Sequence, residues 1–315
     1  MCAASAQAET IRIAAYHSGL GRKGPGVMLR DLRAARDDQA EAALAVIAAA
    51  DPDVILLLDV DWDVAGEGLA TLQDRLGYDH ALALQPNSGV PSGFDLDGDG
   101  TTHEARDALG YGRFTGDSGM ALLSRLPLGP AKDLSATLWA DRAETEGLLP
   151  EAARGVVPLA TTAQWVVPLE VGDTTLTLVT MAAGTPGFDG PEDRNGLRNR
   201  AELEHVAELA REVPLPVVLG RSNLDPDTGE GYRDAMRALL DLPALQDPMP
   251  RAPDGTDDTV EWSGPGPMRV DYVLPARDLT VTGSGVIWPG DDDPLAAVAR
   301  DAGPARLVWV DVALP

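Results

Sequence analysis

The chain has a single cysteine, Cys2, in 315 residues. An internal disulfide and a multi-thiolate zinc site are therefore excluded. Histidine is nearly as scarce: His17, His80, His103 and His205 stand far apart, and none has a second His at ligand spacing. A His-based metal centre is thus not expected. No apolar run approaches the roughly 18–20 residues that span a bilayer, so no transmembrane helix is predicted. Basic residues are few, with 25 Lys and Arg against 50 Asp and Glu, and they form no long cluster. Binding to nucleic acid through its phosphates depends on counterion release to a basic face, and a formal charge of −25 works against it.

What is present is a hydrophobic fraction of 44%, enough for a sizeable core, with acid spread along the whole chain. Spread acid of this kind reads as a solvated acidic surface. At the N-terminus, Ala6-Gln7-Ala8 has the small-x-small pattern of a signal-peptidase site, without the apolar core that should precede it. Residues 1–8 are read as a signal-peptide remnant and 9–315 as one domain, which predicts a secreted or periplasmic protein.

Alternating and continuous apolar runs predict strands at Thr10–Tyr16, Val54–Val60, Met120–Leu123, Gln164–Val171, Thr174–Met181, Pro216–Leu219, Arg269–Leu274 and Leu307–Val312. Helical spacing predicts one amphipathic helix over Leu29–Ala50 and another over Asp193–Glu212. Loops 82–118 and 130–160 are long and rich in Gly, Pro and Asp, as function-bearing loops are. Trp165, Trp288 and Trp309 read as core residues.

The set IRIAAY-His17, DPDVILLL-Asp59, GMALLSRLPL, TLTLVTM, VVLGRSN, RVDYVLP and LVWVDV resembles, in order and spacing, the endonuclease/exonuclease/phosphatase superfamily with its DNase-I-like fold. GPEDRNGLRN and WPGDDDPLAAV point to an exported bacterial branch. The resemblance implies a mixed α/β (α+β) fold: a four-layer sandwich of two mostly antiparallel sheets flanked by helices. It also implies phosphoester hydrolysis, in which a divalent cation held by hard oxygens stabilises the leaving group. An Asp activates water, an Asn positions it, and two His donate to the phosphate.

Matched position by position, that machinery is eroded. His17 stands where the family has Asn, and Asp59 replaces the principal Glu metal ligand, with Asp61 and Asp63 close enough in sequence to lend oxygens. Met181-Ala182-Ala183 lacks the His that follows this strand in the family, and the last strand is not preceded by the family's terminal Ser-Asp-His. Asn223 keeps the Asn of the Gly-Asp-x-Asn element, whereas Arg221 takes the place of the general base. A guanidinium stays protonated at any working pH and cannot accept a proton. Asp271 matches the family as a supporting residue. The resemblance therefore implies a binding protein with impaired hydrolysis, in which Arg221 pairs with Asp59 or holds a small phosphorylated or anionic ligand. The alternative is an active metal-dependent phosphodiesterase or phosphatase, with Mg²⁺ or Mn²⁺ in the cleft. Arg194, Asn195, Arg198 and Asn199 line the cleft or form a solvated helix face.

A second motif runs from Asp95 to Asp107. Asp95, Asp97 and Asp99 at positions one, three and five, Gly100 at six and Thr101 at seven resemble a calcium loop of the EF-hand and dockerin type. Arg106 occupies the place of the closing Glu, which leaves Glu104 or Asp107 to complete a Ca²⁺ shell.

Overall fold

The computed structural model describes residues 10–314, so the signal-peptide reading of residues 1–8 lies outside the described residues. In chain order the elements are β1 (Thr10–His17), α1 (Val27–Ala34), α2 (Asp38–Ala50), β2 (Val54–Val60), α3 (Glu67–Leu76), β3 (His80–Leu82), β4 (Gly119–Ser124), β5 (Lys132–Asp133), β6 (Trp165–Val171), β7 (Thr174–Ala182), α4 (Arg194–Glu212), β8 (Pro216–Arg221), α5 (Arg233–Leu240), β9 (Val260–Trp262), β10 (Gly266–Met268), β11 (Asp271–Pro275), β12 (Thr280–Val286), α6 (Leu295–Asp301) and β13 (Val308–Ala313). Among the described residues, no helix is long and apolar enough to cross a membrane.

Two large sheets carry the fold, with strand orders β12-β13-β1-β2-β4-β3 and β11-β8-β7-β6-β5. Pairing is mostly antiparallel, and each sheet contains one parallel pair, β1 with β2 and β7 with β8. Side chains alternate across each strand, so one strand feeds two cores. On β2, Leu56 and Leu58 join Trp165, Val167, Leu178 and Leu219 in the core between the sheets. Ile55 and Leu57 face the other way, against Leu32, Ile47 and Leu72 of the helices covering the first sheet. On the far side, Val179, Met181 and Val218 pack against Leu203, Val206 and Met236 of α4 and α5. This succession of helices, sheet, sheet and helices is the four-layer sandwich expected from the sequence.

The single helix expected over Leu29–Ala50 is two helices. Ala35 turns left-handed at φ 49 and ends α1, and Asp37 caps α2 by accepting from the Ala40 amide at 2.9 Å. Arg22 fixes the break by donating to Asp31, Asp37 and Gln39 together. An N-cap and a tertiary cation override helical spacing that runs through unbroken. Trp165 is fully buried, as expected; Trp288 and Trp309 are only partly buried and pack against the core, and the other fully buried tryptophan is Trp139.

Candidate functional site

The strand-end site forms where the two sheets present their strand ends to each other. His17 closes β1, Asp59 sits near the end of β2, Arg221 closes β8 and Asp271 opens β11. Asp59 lies in a register shift of β2 against β4 and adopts φ 57, which turns its carboxylate off the strand line. Gly21 packs directly on it, since a Cβ there would lie 2.2 Å from an Asp59 Oδ. At the end of β8, Gly220 has φ 131 and approaches the Met181 carbonyl so closely that a Cβ would sit 2.0 Å away. That approach sets the register carrying Arg221 opposite Asp271.

Arg221 binds Asp271, not Asp59. Nε donates to one carboxylate oxygen at 2.8 Å and Nη2 to the other at 2.6 Å. Both side chains are buried, with 5% and 0% of their surface exposed, and the guanidinium lies 5.9 Å from the centre of the Trp262 ring. Removing one partner from a buried pair of this kind costs roughly 3–5 kcal/mol, because the other charge is left without compensation. The pairing of Arg221 with Asp59 expected as one option is therefore not formed: the antiparallel register places a better, fully buried carboxylate directly opposite.

His17 Nδ1 is 4.0 Å from Asp59. Although 32% of its side-chain surface is exposed, desolvation at the strand ends, reinforced by Arg221 and opposed by Asp271, lowers its pKa to about 3, so at neutral pH the contact is not an ion pair. Asp61 is buried and accepts from the Arg22 and Ser118 amides. Desolvation, with lesser contributions from the charges of Asp117 and Asp59, raises its pKa to about 6 despite those bonds. Asp63 caps α3 through the Glu67 and Gly68 amides, so neither of these carboxylates is offered to a cation. Asn223, at φ 52, donates to the Ala183 carbonyl.

These residues do not fit a catalytic Mg²⁺ or Mn²⁺. Asp59 is the one uncommitted carboxylate among them, Asp271 is neutralised, and a fixed cation stands at the base position. Among the described residues, three metal-capable side chains bring ligand atoms within 4.8 Å of one another only at Asp95, Asp97 and Asp99. In that loop Asp95 accepts from the Gly98 and Gly100 amides, while Thr101 donates its amide and hydroxyl to Asp99, both at 2.8 Å. Asp107 departs from the expected ligand set. Its carboxylate is buried and accepts from the Leu96 and Glu104 amides, where it forms a reciprocal cap with Glu104 that holds a short helical turn.

On α4, Arg194, Asn195 and Arg198 line a groove beside this cleft, whereas Asn199 is fully buried and donates to the Gly184 and Ser222 carbonyls. His205 is also largely buried; Arg142 lies 2.8 Å from its Nδ1, and burial first, then this cation, lowers its pKa to about 4. Sequence reasoning missed Trp139 because it stands in an aperiodic segment with no strand or helix pattern around it.

His17 and Asp61 give stability opposite dependences on pH. Unfolded His17 takes a proton below about 6.5, which the folded state resists until about pH 3, so this residue makes stability fall as pH drops through that window. Folded Asp61 keeps its proton up to about 6 and the unfolded carboxyl only to about 4, so its contribution rises as pH drops from 6 to 4. Urea unfolding at pH values across this range should show a steeper acid loss in Asp61→Asn and a shallower one in His17→Asn. Identical pH slopes in all three proteins would contradict these assignments.

The fold agrees with comparisons to known proteins. The family model described as "Endonuclease/Exonuclease/phosphatase family" matches residues 28–307. An endonuclease/exonuclease/phosphatase from Beutenbergia cavernae is 20% identical with a TM-score of 0.62, over 97% of this chain and 72% of that one. Sphingomyelinase C from Streptomyces griseocarneus is 15% identical at a TM-score of 0.55, over 97% of this chain and 100% of that one. A family protein from Bacteroides thetaiotaomicron is 12% identical at 0.56, over 98% and 99%. No curated protein matches the chain. With a family match across most of its length and a shared architecture, the chain belongs to the endonuclease/exonuclease/phosphatase family.

Proposed function

We propose that this protein is a non-hydrolytic member of its family that binds a small phosphorylated or otherwise anionic ligand. The observation that carries this reading is the buried, bidentate Arg221–Asp271 pair. It puts a permanent cation where a general base is needed and consumes an acidic group that would otherwise face the site. Loss of a base costs about 10²–10⁴-fold and loss of an electrostatic donor about 10²–10³-fold in rate, and the two histidine positions of the family are also vacated. The acidic surface favours a small ligand over duplex nucleic acid.

The Asp95–Asp99 loop is proposed to hold Ca²⁺ in a structural role. Its gathered carboxylates suit a hard cation, and two positive-φ glycines, Gly98 and Gly100, shape the turn. Export, as read from residues 1–8, accords with calcium modules that work at roughly 10⁻⁴–10⁻³ M.

Purified protein with Mg²⁺, Mn²⁺ or Ca²⁺ should release no nitrophenol from bis-p-nitrophenyl phosphate above background. Turnover abolished by Asp59→Ala would establish the alternative reading, a metal-dependent phosphodiesterase or phosphatase. Millimolar Ca²⁺ should raise the melting temperature by binding the native state, and Asp97→Asn should abolish the shift. An unchanged melting temperature in Ca²⁺ and in EDTA would remove the calcium assignment.

A further inference from the structure

Next to the vestigial cleft, with Asn223 on its edge, lies a groove of about 1180 Å³ between the 96–111 loop and the 183–195 segment. Ligand pockets typically enclose about 300–1,000 Å³, so there is room here for an organic molecule larger than a bare ion. Tyr111 and Phe188 stand on its walls with 60% and 83% of their surface exposed, although exposed large apolar side chains are few elsewhere. Beneath them Trp139 is buried to 1%, and its indole N–H has no hydrogen-bond partner. A buried donor left unpaired is costly, and a ligand acceptor would satisfy it.

Charge count alone does not reveal the ligand, because both signs line the groove. Unused hydrogen-bonding capacity does. Each carboxylate on the lining accepts from a nearby turn: Asp97 from the Asp99 amide, Asp99 from Thr101, Asp189 from the Asn195 amide and Glu192 from the Gly190 amide. Arg198 is committed to the Leu109, Pro158 and Leu159 carbonyls. Arg106, by contrast, is exposed and makes no side-chain hydrogen bond among the described residues, and Arg194 uses one guanidinium nitrogen on the Leu96 carbonyl. Arg106 and Arg194 thus keep free donors on planar groups that match phosphate geometry.

We infer that this groove is the ligand site and takes a small organic phosphate, held by Arg106 and Arg194, with its ring or apolar part against Tyr111 and Phe188 and an acceptor toward the Trp139 indole N–H. This rests on the reading of the protein as a binding member of its family and moves recognition away from the strand-end cleft. The cleft offers no comparable site, since Arg221 is already paired and enclosed.

Calorimetry with p-nitrophenyl phosphate tests the assignment while absorbance reads any release of nitrophenolate. The wild type should bind the ester, and inorganic phosphate should bind at least about tenfold more weakly for want of the ring contacts. Arg106→Gln should weaken binding about tenfold and Tyr111→Ala several-fold; adding Arg194→Gln to Arg106→Gln should abolish it. Arg300→Gln removes the same charge from α6, which packs on α2 over the other sheet, and should leave affinity unchanged. Because Arg106 and Tyr111 are exposed, their single variants carry the test should the double variant fail to fold. Absence of binding at millimolar ester, or affinity indifferent to Arg106 and Tyr111, would overturn the groove assignment. Release of nitrophenolate would instead defeat the non-hydrolytic reading and leave the groove to be judged by the same variants.

Discussion

The pair between Arg221 and Asp271 governs what this sandwich can do. It spans two adjacent antiparallel strands, β8 and β11, whose register puts the two residues directly opposite each other. Desolvating both charges is expensive, and their bidentate contact in a water-poor place is what offsets that cost. Once formed, the pair fixes the electrostatics of the strand ends. Desolvation keeps His17 neutral, Asp59 is left without a partner of opposite charge, and a buried cation stands at the end of β8. The family fold survives this exchange because the layers beneath depend on apolar packing between Leu56, Trp165 and Leu219, not on the chemistry above them.

Much of the fold could be read from the sequence because central strands have few alternatives. Val54–Val60 is apolar almost throughout since both of its faces are buried, and the same holds for β7 and β8. Features set by tertiary contacts were less legible. The α1–α2 break depends on Arg22 reaching Asp31, Asp37 and Gln39, and spacing within residues 29–50 carries no trace of it. The strand-end residues could be picked out because they follow predicted strands, but their pairing could not. Arg221 and Asp271 are 50 positions apart, and only the sheet register selects Asp271 over Asp59. Asp107 shows the same limit: an acid after a calcium-like run reads as one option for closing the loop, while its buried carboxylate accepts from the Leu96 and Glu104 amides.

The long loops account for the rest. They leave the sandwich core alone and build the groove wall, bringing Arg106 and Tyr111 toward the start of α4 and its Arg194. A molecule carrying a formal charge of −25 can still present donors to an anion if its nearby carboxylates are locked into their own turns. Local hydrogen bonding, more than net charge, then determines what a surface recognises.

The central claim, that the buried pair leaves no place for a catalytic cation, is tested most directly by Mn²⁺ binding followed by electron paramagnetic resonance. The measurement belongs in an Asp97→Asn/Asp99→Asn background, which removes the loop carboxylates as competitors, with and without Asp59→Asn. No Mn²⁺ should bind below millimolar concentrations in either protein. A micromolar site that disappears with Asp59 would contradict the account.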